Sequence, residues 1–386
     1  MNSSRCEKDI FKKCEAQKTE QKNCLIISTM TSNSTEEQDT QTWKNQRPMI
    51  QGSRSCHGSA KIDDHRVIIV GGRDADDNVL SSGFIYDART QQSTPLCNDM
   101  PTALYCCYAV ANGAYMYVIG GWDANHHSVN TVYRLSVVTE EWTMMAPMGT
   151  PRHSMAIILK DKYVYLFGGC IEDGANLSSA KRYSIDNNAW EELPDNPKGG
   201  RNGHCAVSSR GSEIYIVGGA YISRSSSVDV FDTSSLTWKT PTYLRHLPEV
   251  RIDAAALLLK KKYLVVIGGA ADEGWRATYR YCLIYDIWCN RWSSTPASMD
   301  MISERVYHTA AVLDGKIVVA GGEDQDDNKL ASVECIDADA LLEYAPLHFP
   351  LPRLLFNRIL QIGKFEMERV RCADFDKLIA KKRRMN

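Results

Sequence analysis

The chain has 386 residues, 44% of them apolar, and a formal net charge of −2 from 45 Lys and Arg against 47 Asp and Glu. That length and apolar share can fill a sizeable core, and a near-neutral balance supplies no global field to draw nucleic acid or an anionic membrane. No apolar run approaches the ~20 residues that cross a bilayer, and the 13 cysteines are odd in number, irregularly spaced and without a Cys-x-x-Cys pair, so no membrane span, disulfide framework or zinc site is expected.

Residues 1–40 are polar, and residues 31–40 contain no apolar side chain. Such a segment cannot bury enough surface to offset its ordering entropy, so it is expected to be disordered. The short apolar stretch from Cys24 to Ile27 is too short for a secretory signal core, which makes a cytoplasmic location the expectation and most cysteines small buried apolar residues.

From residue 41 the sequence repeats. A short apolar strand ending in Gly-Gly occurs six times, at Gly71–Gly72, Gly120–Gly121, Gly168–Gly169, Gly218–Gly219, Gly268–Gly269 and Gly321–Gly322, the second glycines lying 49, 48, 50, 50 and 53 residues apart. A second apolar strand precedes each. A polar loop and a strand ending in a pair such as Tyr86-Asp87 or Tyr285-Asp286 follow. Four repeats add a tryptophan on a fourth strand: Trp142, Trp190, Trp238 and Trp292. Four short strands per repeat make one propeller blade, and a blade cannot bury its own faces, so the array must close. The glycines are expected where blades crowd or where φ is positive, and the tryptophans between blades.

Closure is the least legible feature. Trp43 reads as a fourth strand lacking its first three, and the segment from Pro352 to Gly363 as a first strand with no Gly-Gly after it. Pairing the two would build a degenerate seventh blade from both termini; six blades with these segments as caps is the alternative. The organisation expected is thus a disordered segment at 1–40, an all-β propeller of six or seven blades over 41–370, and a basic tail over 371–386. Lys381, Lys382, Arg383 and Arg384 in that tail are a candidate nuclear address.

These repeats resemble the kelch repeat family over residues 42–365, on the strength of the six Gly-Gly strands with recurrent Arg-x-x-His, Tyr-Asp and Trp positions. A period near 50 residues is itself a documented mark of kelch repeats. The resemblance implies a non-catalytic scaffold or adaptor that binds a protein or peptide at one end of the central channel. In the family that end is lined by the residue before each first strand, here Arg54, Arg152, Arg201, Arg251 and Arg305 with Arg353 in the partial repeat, and by the loop after each Gly-Gly, starting at Arg73, Trp122, Cys170, Ala220, Ala270 and Glu323. The second repeat departs, holding no arginine near Thr102 to Tyr105. The candidate partner-binding residues are therefore Arg54, Arg73, Trp122, Arg152, Arg201, Arg251, Arg305 and Glu323. Converging guanidinium groups would favour an acidic segment; the alternative is that the arginines tie one blade to the next. Neither nucleic acid nor membrane is an expected partner, and oligomeric state is left open.

Other readings are weaker. The once-per-blade histidines His57, His153, His204 and His308 suggest strand-to-strand hydrogen bonding rather than metal ligation. Asp74-x-Asp76-x-Asn78 and Asp324-x-Asp326-x-Asn328 open like calcium loops but lack the glycine and glutamate that complete one. Glu249-x3-Asp253 begins the iron pattern of plant specifier proteins, yet Leu257 stands where the histidine belongs. No cofactor, metal or catalytic residue is expected. A substrate-recognition subunit of a ubiquitin ligase, or a kelch-fold enzyme acting on a small molecule or sugar, remain the alternatives.

Overall fold

The structure, a computed structural model, describes residues 42–209, 211–220, 226–239, 245–272, 274 and 277–346. The segments expected to be disordered (1–40) and basic (371–386), together with Arg353, lie outside these residues.

Six four-stranded antiparallel sheets form six blades. Their innermost strands are Gly58–Lys61, Tyr108–Asn112, Ala156–Lys160, Cys205–Ser208, Ala255–Leu259 and Thr309–Leu313. Each of these adjoins the innermost strand of the next blade, and the sixth adjoins the first. The second strands, such as Arg66–Val70 and Tyr263–Ile267, are buried along their last four residues. Neighbouring blades cover both faces, so the sequence there is apolar without alternation.

Both expected reasons for the glycine pairs hold at the seam between the sixth and first blades. Gly321 has φ +66°, and a Cβ on it would lie 2.4 Å from the Arg54 carbonyl oxygen and 2.9 Å from His57 Cε1; Gly322 has φ +96°, with the Val306 carbonyl oxygen 2.5 Å from its would-be Cβ. The first glycine thus makes room for the next blade and the second for the start of its own.

The tryptophans bridge blades by packing and by one repeated hydrogen bond. Trp142, Trp190, Trp238 and Trp292 donate Nε1–H to the carbonyls of Asn98, Ala146, Pro194 and Arg245, each just past the outer strand of the preceding blade, at 3.1, 3.0, 2.7 and 3.1 Å. Trp238 also packs edge-on against Phe167 of that blade, ring centroids 5.5 Å apart.

Trp43 performs the same function for the sixth blade, and of the two expected closures, six blades or seven, this one gives six. The strand Lys44–Asn45 pairs with Val333–Asp337, Lys44 opposite Cys335 and Asn45 opposite Glu334. Trp43 is buried and donates to the Met299 carbonyl at 3.0 Å. The orphan fourth strand therefore has its first three strands at the other end of the chain. After Asp337, whose side chain caps the short helix Ala338–Leu342, no fourth strand is needed locally because the N-terminal strand occupies its place. The segment from Pro352 to Gly363, expected to pair with it, lies outside the described residues.

Candidate interaction face and axial cavity

The five repeated arginines are buried, each 0–2% exposed. Their main chain and side chain act on different blades. The carbonyls of Arg54, Arg152, Arg201, Arg251 and Arg305 accept from the second glycine of the preceding blade, Gly322, Gly121, Gly169, Gly219 and Gly269, at 2.7–3.0 Å. Meanwhile Nη1 of Arg54, Arg152, Arg251 and Arg305 donates to the first glycine carbonyl of its own blade, at Gly71, Gly168, Gly268 and Gly321 (2.7–2.9 Å), and Arg201 Nη1 reaches the Ile216 carbonyl at 3.3 Å. Arg201, Arg251 and Arg305 also pair with Asp229, Glu249 and Glu334. Burial pulls the Arg54 and Arg152 guanidinium groups down to about 10, so both remain cations at neutral pH. In the second blade, where the arginine is missing, the Leu104 carbonyl still accepts from Gly72 at 2.7 Å. The main-chain tie survives there without the side chain.

Of the loop residues, Glu323 is also buried, accepting from Ser55 Oγ at 2.6 Å, and burial raises its carboxyl. Arg73 and Trp122 keep exposed surface. The Arg73 guanidinium lies 4.0 Å over the Tyr105 ring. Trp122 stacks on Tyr105 at 6.1 Å and packs on His153 at 4.5 Å, and the Tyr105 hydroxyl bonds His126 Nδ1 at 2.8 Å. This part of the face is thus aromatic and cationic; across the axis Ala220 and Ala270 begin the corresponding loops, bridged to Asn202 and Ile252, and most of the residues after them lie outside the described residues.

The acidic loops beside this rim serve their own backbone. Asp74 Oδ1 accepts from the amides of Asp76 and Asn78 at 3.0 and 2.9 Å, and Asp324 does the same for Asp326 and Asn328. The calcium-like spacing is the spacing of a self-capping turn. The histidines face inward: His57 Nε2 bonds Thr309 Oγ1 at 2.7 Å across the seam, and burial lowers His57 and His204 to about 3 and His153 to about 4. Glu249 and Asp253 diverge, since Glu249 is held by Arg251 and the Tyr281 hydroxyl. Among the described residues no three His, Cys, Asp or Glu side chains group as a metal ion would need, and no helix is long and apolar enough to cross a membrane.

Two residues after each arginine position, the backbone of every blade turns left-handed: Cys56, Cys106, Ser154, Gly203, Asp253 and Tyr307 have φ between +48° and +58°. Their main chains are stitched into a ring about the axis. The amides of Cys56, Tyr307, Asp253 and Gly203 donate to the carbonyls of Tyr307, Asp253, Gly203 and Ser154, and that of Cys106 to Cys56, at 2.7–3.3 Å. Five of the six line a cavity of about 190 Å³, with Tyr108, His57, His204, His308 and the first residues of the inner strands. Sequence reading passed over this ring because its residue types share nothing. Its one signal is the constant offset from the arginines.

A family model described as the Attractin/LZTR1 beta-propeller matches residues 16–220 and 67–331, more than half of the chain. Kelch-like protein 38 of Rattus norvegicus is 26% identical over 283 residues, covering 71% of this chain and 46% of that protein. The chain belongs to this family of kelch-type β-propellers. Beta-scruin of Limulus polyphemus is 28% identical over 210 residues, 50% of the chain and 22% of its own length, and Kelch domain-containing protein 3 of Mus musculus is 28% identical over 216 residues, 51% and 56%. The matches to kelch-like protein 38 span less than half of that relative.

Proposed function

We propose that this kelch propeller is a non-catalytic scaffold or adaptor that binds a protein partner on the face carrying Arg73 and Trp122. The observation that carries the reading is the aromatic and guanidinium cluster on that rim. A partly exposed indole backed by Tyr105 and His153, beside a guanidinium on the same tyrosine, is the kind of aromatic and arginine anchor that dominates protein interfaces. Similarity to kelch-like proteins supports the same role, including that of substrate adaptor. Burial of the five arginines removes the main support for an acidic ligand; among the described residues Arg73, paired with Asp77 at 3.6 Å, is a rim guanidinium that a partner carboxylate could share. The cytoplasm stays the expected compartment.

The test is quantitative capture of partners from cell extract by the wild-type chain and by the Arg73→Ala/Trp122→Ala double variant, with thermal unfolding run on both. The reading expects the variant to keep its melting temperature within a few degrees and to lose most of a specific set of captured proteins. An unchanged set at unchanged yield would move the site elsewhere.

A further inference from the structure

We infer that Cys56 and Cys106 form a reversible oxidation site, in which a hydroperoxide converts Cys106 to a sulfenic acid and Cys56 closes on it as a disulfide. Both residues belong to the ring of left-handed positions about the axis, with φ +52° and +48°. Such backbone at residues other than glycine is strained and gathers at functional sites. The two are neighbours in the ring, Cys56 leading into the first blade and Cys106 into the second. The Cys106 amide donates to the Cys56 carbonyl at 2.7 Å. With standard bond lengths and angles, that contact keeps the two Cα atoms no more than about 6.6 Å apart, inside the ~4.4–6.8 Å span that a disulfide bridges. The side chains also meet, since the two thiols hydrogen-bond to each other.

Exposure divides the roles. Both residues line the axial cavity, where Cys106 is partly exposed and Cys56 is buried. Burial pushes the Cys56 thiol well above its ordinary range, so Cys106 is the thiol that meets the oxidant first and Cys56 the one that resolves. The cavity of about 190 Å³ holds roughly six water volumes at ~30 Å³ each, ample for hydrogen peroxide. Two other thiols on the wall are turned elsewhere. Cys205 Sγ donates to the Ala254 carbonyl at 2.9 Å, and the buried Cys107 points its Sγ at Gly58, 3.2 Å from where a Cβ would stand. In the first step the Cys106 sulfur attacks one peroxide oxygen. An S–O bond forms, the O–O bond breaks, the sulfur loses two electrons, and the thiol proton leaves with the second oxygen as water or an alcohol. In the second step the Cys56 sulfur attacks the Cys106 sulfur. The S–S bond forms, the S–O bond breaks, and the departing hydroxyl takes the Cys56 proton as water. A dithiol reverses the link by exchange, returning both thiols and leaving as its own disulfide.

The test treats the folded full chain with a small excess of hydrogen peroxide, blocks the remaining thiols with N-ethylmaleimide in denaturant, and sequences the peptides by mass spectrometry. Circular dichroism before blocking checks that the treated chain keeps its β spectrum. The inference expects a peptide pair linked through Cys56 and Cys106 in most chains, lost on treatment with dithiothreitol, while Cys97, an exposed thiol, stays out of the link. Cys107→Ser, which removes the adjacent thiol, should leave the link in place. Dimedone, which traps sulfenic acids, should label Cys106 in Cys56→Ser and leave Cys56 unlabelled in Cys106→Ser. Oxidation of Cys97 with Cys56 and Cys106 both recovered as separate maleimide adducts overturns the inference, as does a link that runs through Cys107 or Cys205 instead. Both results are read on the wild-type chain, so they stand even if a serine variant fails to fold.

Discussion

Closure of the ring through Trp43 gives the sharpest quantitative expectation. Trp43 is 5% exposed and belongs to a buried apolar cluster with Val265, Ile267, Met299 and Met301 of the fifth blade and Ile317 and Ile336 of the sixth. It also donates to the Met299 carbonyl. Replacing a buried tryptophan by alanine costs about 3–5 kcal/mol through lost transfer energy and the cavity left behind. The orphaned Met299 carbonyl puts Trp43→Ala toward the upper part of that range. Deleting residues 1–50 goes further. It removes the Lys44–Asn45 strand as well as the amides of Gln46 and Met49, which donate to Val333 and Ala331 at 2.7 and 3.0 Å. The edge of Val333–Asp337 then stands unpaired, a template for intermolecular pairing. Deleting residues 1–38 removes none of these contacts. Urea unfolding followed by tryptophan fluorescence, with light scattering for association, compares the three variants. The expected order is wild type equal to the 1–38 deletion, then Trp43→Ala, then the 1–50 deletion with added self-association. A Trp43→Ala variant within about 1 kcal/mol of wild type, well below the usual range for such truncations, would show that this strand does not close the ring.

Two further outcomes follow from the framework. Arg305 and Glu334 are both fully buried and paired, so Arg305→Ala should destabilise by about 3–5 kcal/mol because it leaves a carboxylate stranded; an Arg305→Met/Glu334→Gln double variant should recover much of that loss in the same urea assay. For pH, the folded values of His57 and His204 lie near 3, below the ordinary 6.5, so between those limits the unfolded chain binds more protons. Their contribution to stability is complete above pH 6.5 and declines as pH falls toward 3. Stability measured from pH 6.5 to 4 should fall, and His57→Gln or His204→Gln should each flatten the slope by up to about 1.4 kcal/mol per pH unit.

Much of the fold was legible because its determinants are local and periodic. Gly-Gly marks a close approach that any side chain would block, as at Gly321 and Gly322, and tryptophan marks the outer-strand position that in five of the six blades hydrogen-bonds to the preceding blade. Closure was not, because Lys44 and Cys335 pair across about three-quarters of the chain and a short orphan strand carries no register of its own. The arginines show a different limit. Their period was plain, but whether a guanidinium faces the channel or the blade depends on the backbone beyond it. The left-handed residue two positions on carries the chain past the axis while Nη1 turns back to the glycine carbonyl. Hence the eight candidate contacts divide into six buried residues and two, Arg73 and Trp122, that keep exposed surface, and the ring of left-handed residues shares a geometry but no residue type.

The central claim, that one end of this propeller is its partner face, is tested most directly by hydrogen exchange on the chain with a captured partner bound. The account predicts slowed exchange in residues 73–79 and 122–128 and in the bridged segments around Ser55 and Tyr105. It predicts unchanged exchange in the loops at the opposite end, such as residues 88–91, 137–141 and 185–188, which join third strands to outer strands. Protection confined to those opposite loops, with residues 73–79 and 122–128 exchanging as in the free chain, would contradict it.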